Sequence, residues 1–112
     1  MAEMTDIPRT IEIDSEVFGT TFVLRRRRVK DTFVISKRQF QLLDTSPQFA
    51  SQQAQRVSFY VAELETVLVS PDHFDFENSE EEWEVERIAQ EYEKWAYSFR
   101  DASTPGPATP GA

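Results

Sequence analysis

Three groups of side chains in this 112-residue chain have types and spacing that could do chemistry. In "SPDHFDFENSE", His73 lies among Asp72, Asp75 and Glu77, donors that in combination can hold a cation. The spacing lacks the glycine and the closing bidentate glutamate of a calcium loop, and one imidazole among carboxylates is too common to be diagnostic. A satisfied loop histidine is therefore expected, with no metal and no cofactor. In "LRRRRVKD", Arg25 to Arg28 set side by side the residue type that neutralises phosphate. In "NSEEEWEVE", Glu80, Glu81, Glu82, Glu84 and Glu86 crowd carboxylates of the kind used in general acid–base work. At the start of a helix such residues are ordinarily a solvated face that suits the helix dipole. The chain has no Gly-rich phosphate loop and no Gly-x-Ser-x-Gly elbow, and His73 has no nucleophile partner in sequence, so no enzyme is expected.

The arginine run must be weighed against the whole charge distribution. The chain has a formal net charge of -8, yet residues 1–46 carry 8 Lys/Arg against 7 Asp/Glu, and residues 47–112 carry 4 against 13. Such bipolarity can hold a small domain together, or let copies associate head to tail. It argues against nucleic acid as a partner. Cysteine is absent, which excludes a disulfide framework and a thiolate site and fits a reducing cytosol. No apolar run reaches the roughly 18 residues of a membrane span, and the N-terminal stretch has no signal-peptide core, so no membrane association is expected. Aromatic residues are 12% of the chain, nine of them Phe, enough for a packed core in one domain.

The elements follow from periodicity. "TIEID" alternates as a half-buried strand, "SEVFG" reads as a turn, and "TTFVLRRRR" as a second strand. On that strand Phe22, Leu24, Arg26 and Arg28 share one face and Thr21, Val23, Arg25 and Arg27 the other. Arg26 and Arg28 would continue the apolar face past the core edge, their stems packing and their guanidinium groups reaching carboxylates. "VKDTFVISKRQFQLLD" reads either as a helix with Asp31 as N-cap and Phe33, Lys37, Phe40 and Leu43 near one face, or as a strand "TFVIS" before a helix capped by Ser36; the helix is favoured. From Phe49 to Val69 the apolar spacing predicts an amphipathic helix. The loop after it carries Phe74 and Phe76 as apolar anchors. A last helix starts with Ser79 and Glu82 at capping-box spacing, its face running through Trp83, Ile88, Tyr92, Trp95 and Phe99 and widened by Val85, Ala89 and Ala96. "STPGPATPGA" should be disordered. The expected fold is α+β: a short N-terminal β-hairpin, then a mainly α-helical bundle of about three helices. Residues 1–9 form a flexible N-terminus, 10–101 a single domain and 102–112 a disordered tail.

An aromatic stripe on a helix is most often core, yet Trp and Tyr are also over-represented at binding hot spots. The candidate partner-binding residues are therefore Arg26, Arg28, Trp83, Tyr92, Trp95 and Phe99. The order of features, a hairpin leading into "LRRRRVKD", a helix, a long helix ending in "ETVLVSPDHFDF", and "EEWEVERIAQEYEKWAYSFR" before a Pro/Gly tail, resembles the tail assembly chaperones of long-tailed bacteriophages and prophages. The resemblance spans roughly residues 10–100. It implies a non-enzymatic protein of the host bacterial cytoplasm, usually not retained in the virion. Such a protein keeps the long helical tape-measure protein soluble and helps gather tail-tube subunits around it. It also implies a longer form made by frameshifting, for which the Pro/Gly tail would serve as a joint. The mechanism this suggests is that apolar residues on an amphipathic helix, the aromatic ridge of the last helix first among them, cover the client, while acidic surface keeps the complex soluble. Self-association through the arginine strand end and the glutamate-rich helix of a neighbour is a further expectation. Two alternatives have different consequences: a small acidic inhibitor that imitates DNA through Asp72 to Glu93, and a minor structural component of the virion.

Overall fold

A computed structural model describes residues 9–103, with side chains through residue 98. Residues 1–8 of the expected flexible N-terminus and residues 104–112 of the expected tail lie outside the described residues, whereas Ala102 and Ser103, expected in the tail, belong to the last helix. Strand β1 (Thr10–Ser15) and strand β2 (Thr20–Arg25) form the expected antiparallel hairpin, with Thr10 opposite Arg25 and Ile13 opposite Phe22. The turn closes on Gly19, whose φ of 63° lies in the left-handed region that glycine adopts without strain. Alternation sends Ile13, Phe22 and Leu24 into the core, while Thr21 Oγ1 donates to Asp14 Oδ1 at 2.6 Å on the outer face.

Three helices follow: α1 (Val29–Leu43), α2 (Gln52–Val67) and α3 (Glu82–Ser103). A 3-10 turn at Pro47–Phe49 precedes α2, so the helix expected from Phe49 begins instead at Gln52, where the Ser51 hydroxyl accepts the Ala54 N–H at 3.0 Å. Nor does it run to Val69. Leu68–Ser70 leaves it as a third strand, β3, pairing antiparallel with the other edge of β2. Left uncovered, that edge would present unpaired backbone groups, and Val67 and Val69 suit a strand as well as a helix. Pro71 then holds Ser70 extended. The mixed α+β architecture agrees with the sequence reading, enlarged by this one strand.

Two details of α1 differ from expectation. Asp31 is the third helical residue and not the N-cap. Arg28 occupies the cap, and Asp31 Oδ2 accepts the Arg28 N–H at 2.6 Å. The stripe through Phe33 and Phe40 also faces solvent, and Asp31, Ile35, Arg38, Gln39 and Leu42 are the residues turned inward. A carboxylate bound to a neighbouring guanidinium outweighed a stripe of phenylalanines in choosing the buried side. At the last helix, Ser79 Oγ accepts the Glu81 N–H at 3.0 Å and α3 starts at Glu82, so the expected Ser79–Glu82 capping box is not made.

The core lies where α2 packs on β2 and α3 on β1, with α1 outside against α2. Val61, Leu64 and Val67 of α2 and Val85, Ile88, Ala89 and Tyr92 of α3 meet the sheet residues. As expected, Phe74 and Phe76 tuck back: with Phe18 and Phe22 they form a ring cluster with centroids 4.8 to 6.2 Å apart. Among the described residues no helix is long and apolar enough to cross a membrane.

The Arg25 guanidinium beside it and the Arg28 N–H hold the buried Asp31 carboxyl down to about 2. A depressed carboxyl stabilises the fold above its unfolded range and loses that contribution as pH falls from about 4 to about 2. Asp31→Asn should cost about 2 kcal/mol at neutral pH and flatten this acid limb, as read by urea unfolding at several pH values.

Candidate partner-binding surface

The basic turn between β2 and α1 is built from its hydrogen bonds. Arg25 binds both Asp31 carboxylate oxygens, Nη1 to Oδ2 at 2.8 Å and Nη2 to Oδ1 at 3.2 Å, and Nη2 also donates to the Thr66 carbonyl at 3.0 Å. Arg27 donates to Glu63 Oε2 at 3.2 Å and to Thr32 Oγ1 at 3.1 Å, with its guanidinium 6.0 Å from the Phe59 ring centre. Arg25 and Arg27, expected on the other strand face, thus reach carboxylates too, and they are half-buried whereas Arg26 and Arg28 are exposed. Strand alternation stops at Arg25, because the chain must turn there into α1. The receiving carboxylates belong to α1 and α2, not to the glutamate-rich start of α3.

Glu63 escaped the sequence reading. It is fully buried in α2, and burial together with the neighbouring Glu93 carboxylate pushes its carboxyl up to about 9. Glu63 is thus protonated at neutral pH. Oε2 accepts from Arg27, while Oε1 is buried with no hydrogen-bond partner among the described residues. The only trace in the sequence is a charged residue interrupting "YVAEL" on the buried side of an amphipathic helix.

The aromatic ridge of α3 is divided. Tyr92 is fully buried, its hydroxyl donating to the Arg25 carbonyl at 2.7 Å. Trp95 is half-buried with its ring 5.9 Å from that of Tyr92, and the Phe99 side chain lies outside the described residues. Tyr92 is therefore a core residue and not a partner-binding one, because Val85, Ile88, Ala89 and Tyr92 at helical spacing form the seam against β1 and α2. Trp83 is off that seam and 59% exposed, Nε1 donating to Glu81 Oε1 at 2.7 Å.

Among the described residues, α1 carries an exposed apolar stripe. Val29 is 81%, Phe33 69% and Phe40 51% exposed, and at steps of four and seven residues they form one straight stripe. Lys30 and Lys37 flank it, both exposed. The sequence reading found this stripe but could not tell which apolar face of a helix is covered. The loop acids have other work: Arg38 binds Glu77 at 2.7 Å and Glu65 at 2.9 Å, and Asp75 Oδ2 accepts from Asn78 Nδ2 at 2.7 Å. Among the described residues no three His, Cys, Asp or Glu are grouped to hold a metal ion. Comparison with protein-family models, curated proteins and solved structures gives no match to this chain.

Because the Glu63 carboxyl is raised, the folded state holds a proton that the unfolded chain gives up near pH 4.5, and stability falls as pH rises from there to about 9. Glu63→Gln, which keeps the neutral donor and acceptor, should abolish most of that decline and raise stability at pH 8.5 by about 1–3 kcal/mol. Denaturant unfolding of both proteins at pH 5.5 and pH 8.5 checks it; equal slopes would show Glu63 ionised in the fold.

Proposed function

We propose that the chain is a non-enzymatic tail assembly chaperone of a long-tailed bacteriophage or prophage, holding helical segments of a tape-measure protein on the outward stripe of α1 and helping to gather tail-tube subunits. The observation that carries the reading is the Val29–Phe33–Phe40 stripe, large apolar side chains aligned in solvent on one helix while Phe22, Phe76 and Tyr92 are buried. A ridge of this spacing is what an amphipathic client helix can lie against. It replaces the ridge of α3, whose Tyr92 is inside.

Magnitudes set the mode of action. Covering three such side chains yields about 1.5–3 kcal/mol each, which is of the order of the roughly 4–15 kcal/mol lost on association. One copy alone binds weakly. Several copies along one long client bind through avidity, which suits a protein that must later be displaced.

The acidic inhibitor reading has less support, because its carboxylates are partly committed: Glu77 to Arg38, Glu86 to Arg56 at 3.5 Å, and Glu82 to Gln53. A structural virion component would copurify with assembled particles, whereas a chaperone would not.

Co-expression with the candidate tape-measure protein tests the proposal. The native chain should keep the client in the soluble fraction. Phe33→Asp/Phe40→Asp should reduce soluble client about tenfold, while unfolding of the variant alone shifts by no more than about 0.5 kcal/mol, since both rings are exposed. Equal solubility with the folded double variant would remove α1 as the client surface.

A further inference from the structure

We infer that copies of this chain associate head to tail, the outward face of α1 on one copy receiving the acidic, Trp83-bearing start of α3 from the next. This rests on the same reading of α1 as a docking face that the client hypothesis uses, and it names a second occupant for that face.

The sign of the α1 surface is the first ground. In a chain of net charge -8, the exposed ionisable residues of α1 are Lys30 and Lys37, with Arg28 at its cap; the helix's one acidic residue, Asp31, is buried under Arg25. The start of α3 is its complement. Glu80 and Glu82 are exposed beside Trp83, whose bond to Glu81 holds the indole at the surface. Each side thus offers an aromatic anchor inside a fringe of one charge, the arrangement of an interface with a hot spot and a steering rim.

Position is the second ground. Arg28 and Val29 line one cleft with Ala96 and Tyr97, whereas Leu43 and Glu82 line another, so the start of α1 lies beside the far part of α3 and the end of α1 beside its start. Glu82 and Tyr97 are separated by about 22 Å of helix. The acidic start of α3 cannot fold back onto Val29, Lys30 and Phe33 of its own chain, and only another copy can bring it there. The two patches are different surfaces, so the contact is heterologous and repeats instead of closing on a two-fold axis.

Because the patch is small, association should be weak, with a dissociation constant on the order of 100 μM, and salt-sensitive. Sedimentation velocity on the full chain should show a mean mass that rises with concentration past that of a dimer and returns to the monomer in high salt. Lys30→Glu/Lys37→Glu and Glu80→Lys/Glu82→Lys should each remain monomeric, and an equimolar mixture of the two should associate again, because each reversed patch then meets an opposite charge. A monomer at every concentration, a mass that saturates at the dimer, or association indifferent to either charge reversal would overturn the inference. Failure here leaves the client reading intact if the native chain still solubilises the client and Phe33→Asp/Phe40→Asp does not. Failure of client binding with restored association in the mixture would leave head-to-tail assembly standing alone.

Discussion

One residue, Arg25, connects all three helices to the sheet. The side chain of Arg25 grips Asp31 of α1 and the Thr66 carbonyl of α2, and its own carbonyl receives the Tyr92 hydroxyl of α3. An arginine can fill this place because its donors form a planar fork that serves several acceptors at once; a lysine at Arg25 would offer a single point of charge. With Asp31 drawn under the fork, the rotation of α1 about its axis is set, and Phe33 and Phe40 are turned outward. The exposed apolar stripe is thus a consequence of a polar contact made on the opposite side of the helix.

Much of the architecture was legible locally. Alternation in "TIEID" and "TTFVL" marked the hairpin, three- and four-residue spacing marked the long helices, and Phe74 and Phe76 read correctly as anchors because a loop with two rings has few other places to put them. What escaped was decided by contacts between residues distant in the chain. Leu68–Ser70 became a strand because β2 had an edge to cover, which no window around Val69 reveals. The inward turn of Arg25 and Arg27 arose because the strand ended three residues before the arginines did.

The candidate surface was half legible for a related reason. Periodicity identifies an apolar stripe but not what covers it. On α3 the stripe through Ile88 and Tyr92 met the sheet, whereas on α1 the stripe through Phe33 is exposed, and the two look alike in sequence. Trp83, placed with the α3 stripe in the sequence, is exposed because it lies off the seam and not along it. Glu63 was missed because a glutamate near glutamates reads as surface; its burial in α2, with Glu93 beside it, makes it a buried acid.

The antiparallel run of α1 and α3 has a consequence for how this molecule meets anything else. Exposed cationic side chains gather where α1 begins and carboxylates where α3 begins, so charge is unevenly divided along the molecule on top of its net negative charge. In the field of a charged body such an object turns before it touches, and its landing orientation is chosen at a distance of about a Debye length. Two such molecules side by side in the same sense repel more than two placed head to tail, so the approach geometry is biased before any side chain is in contact.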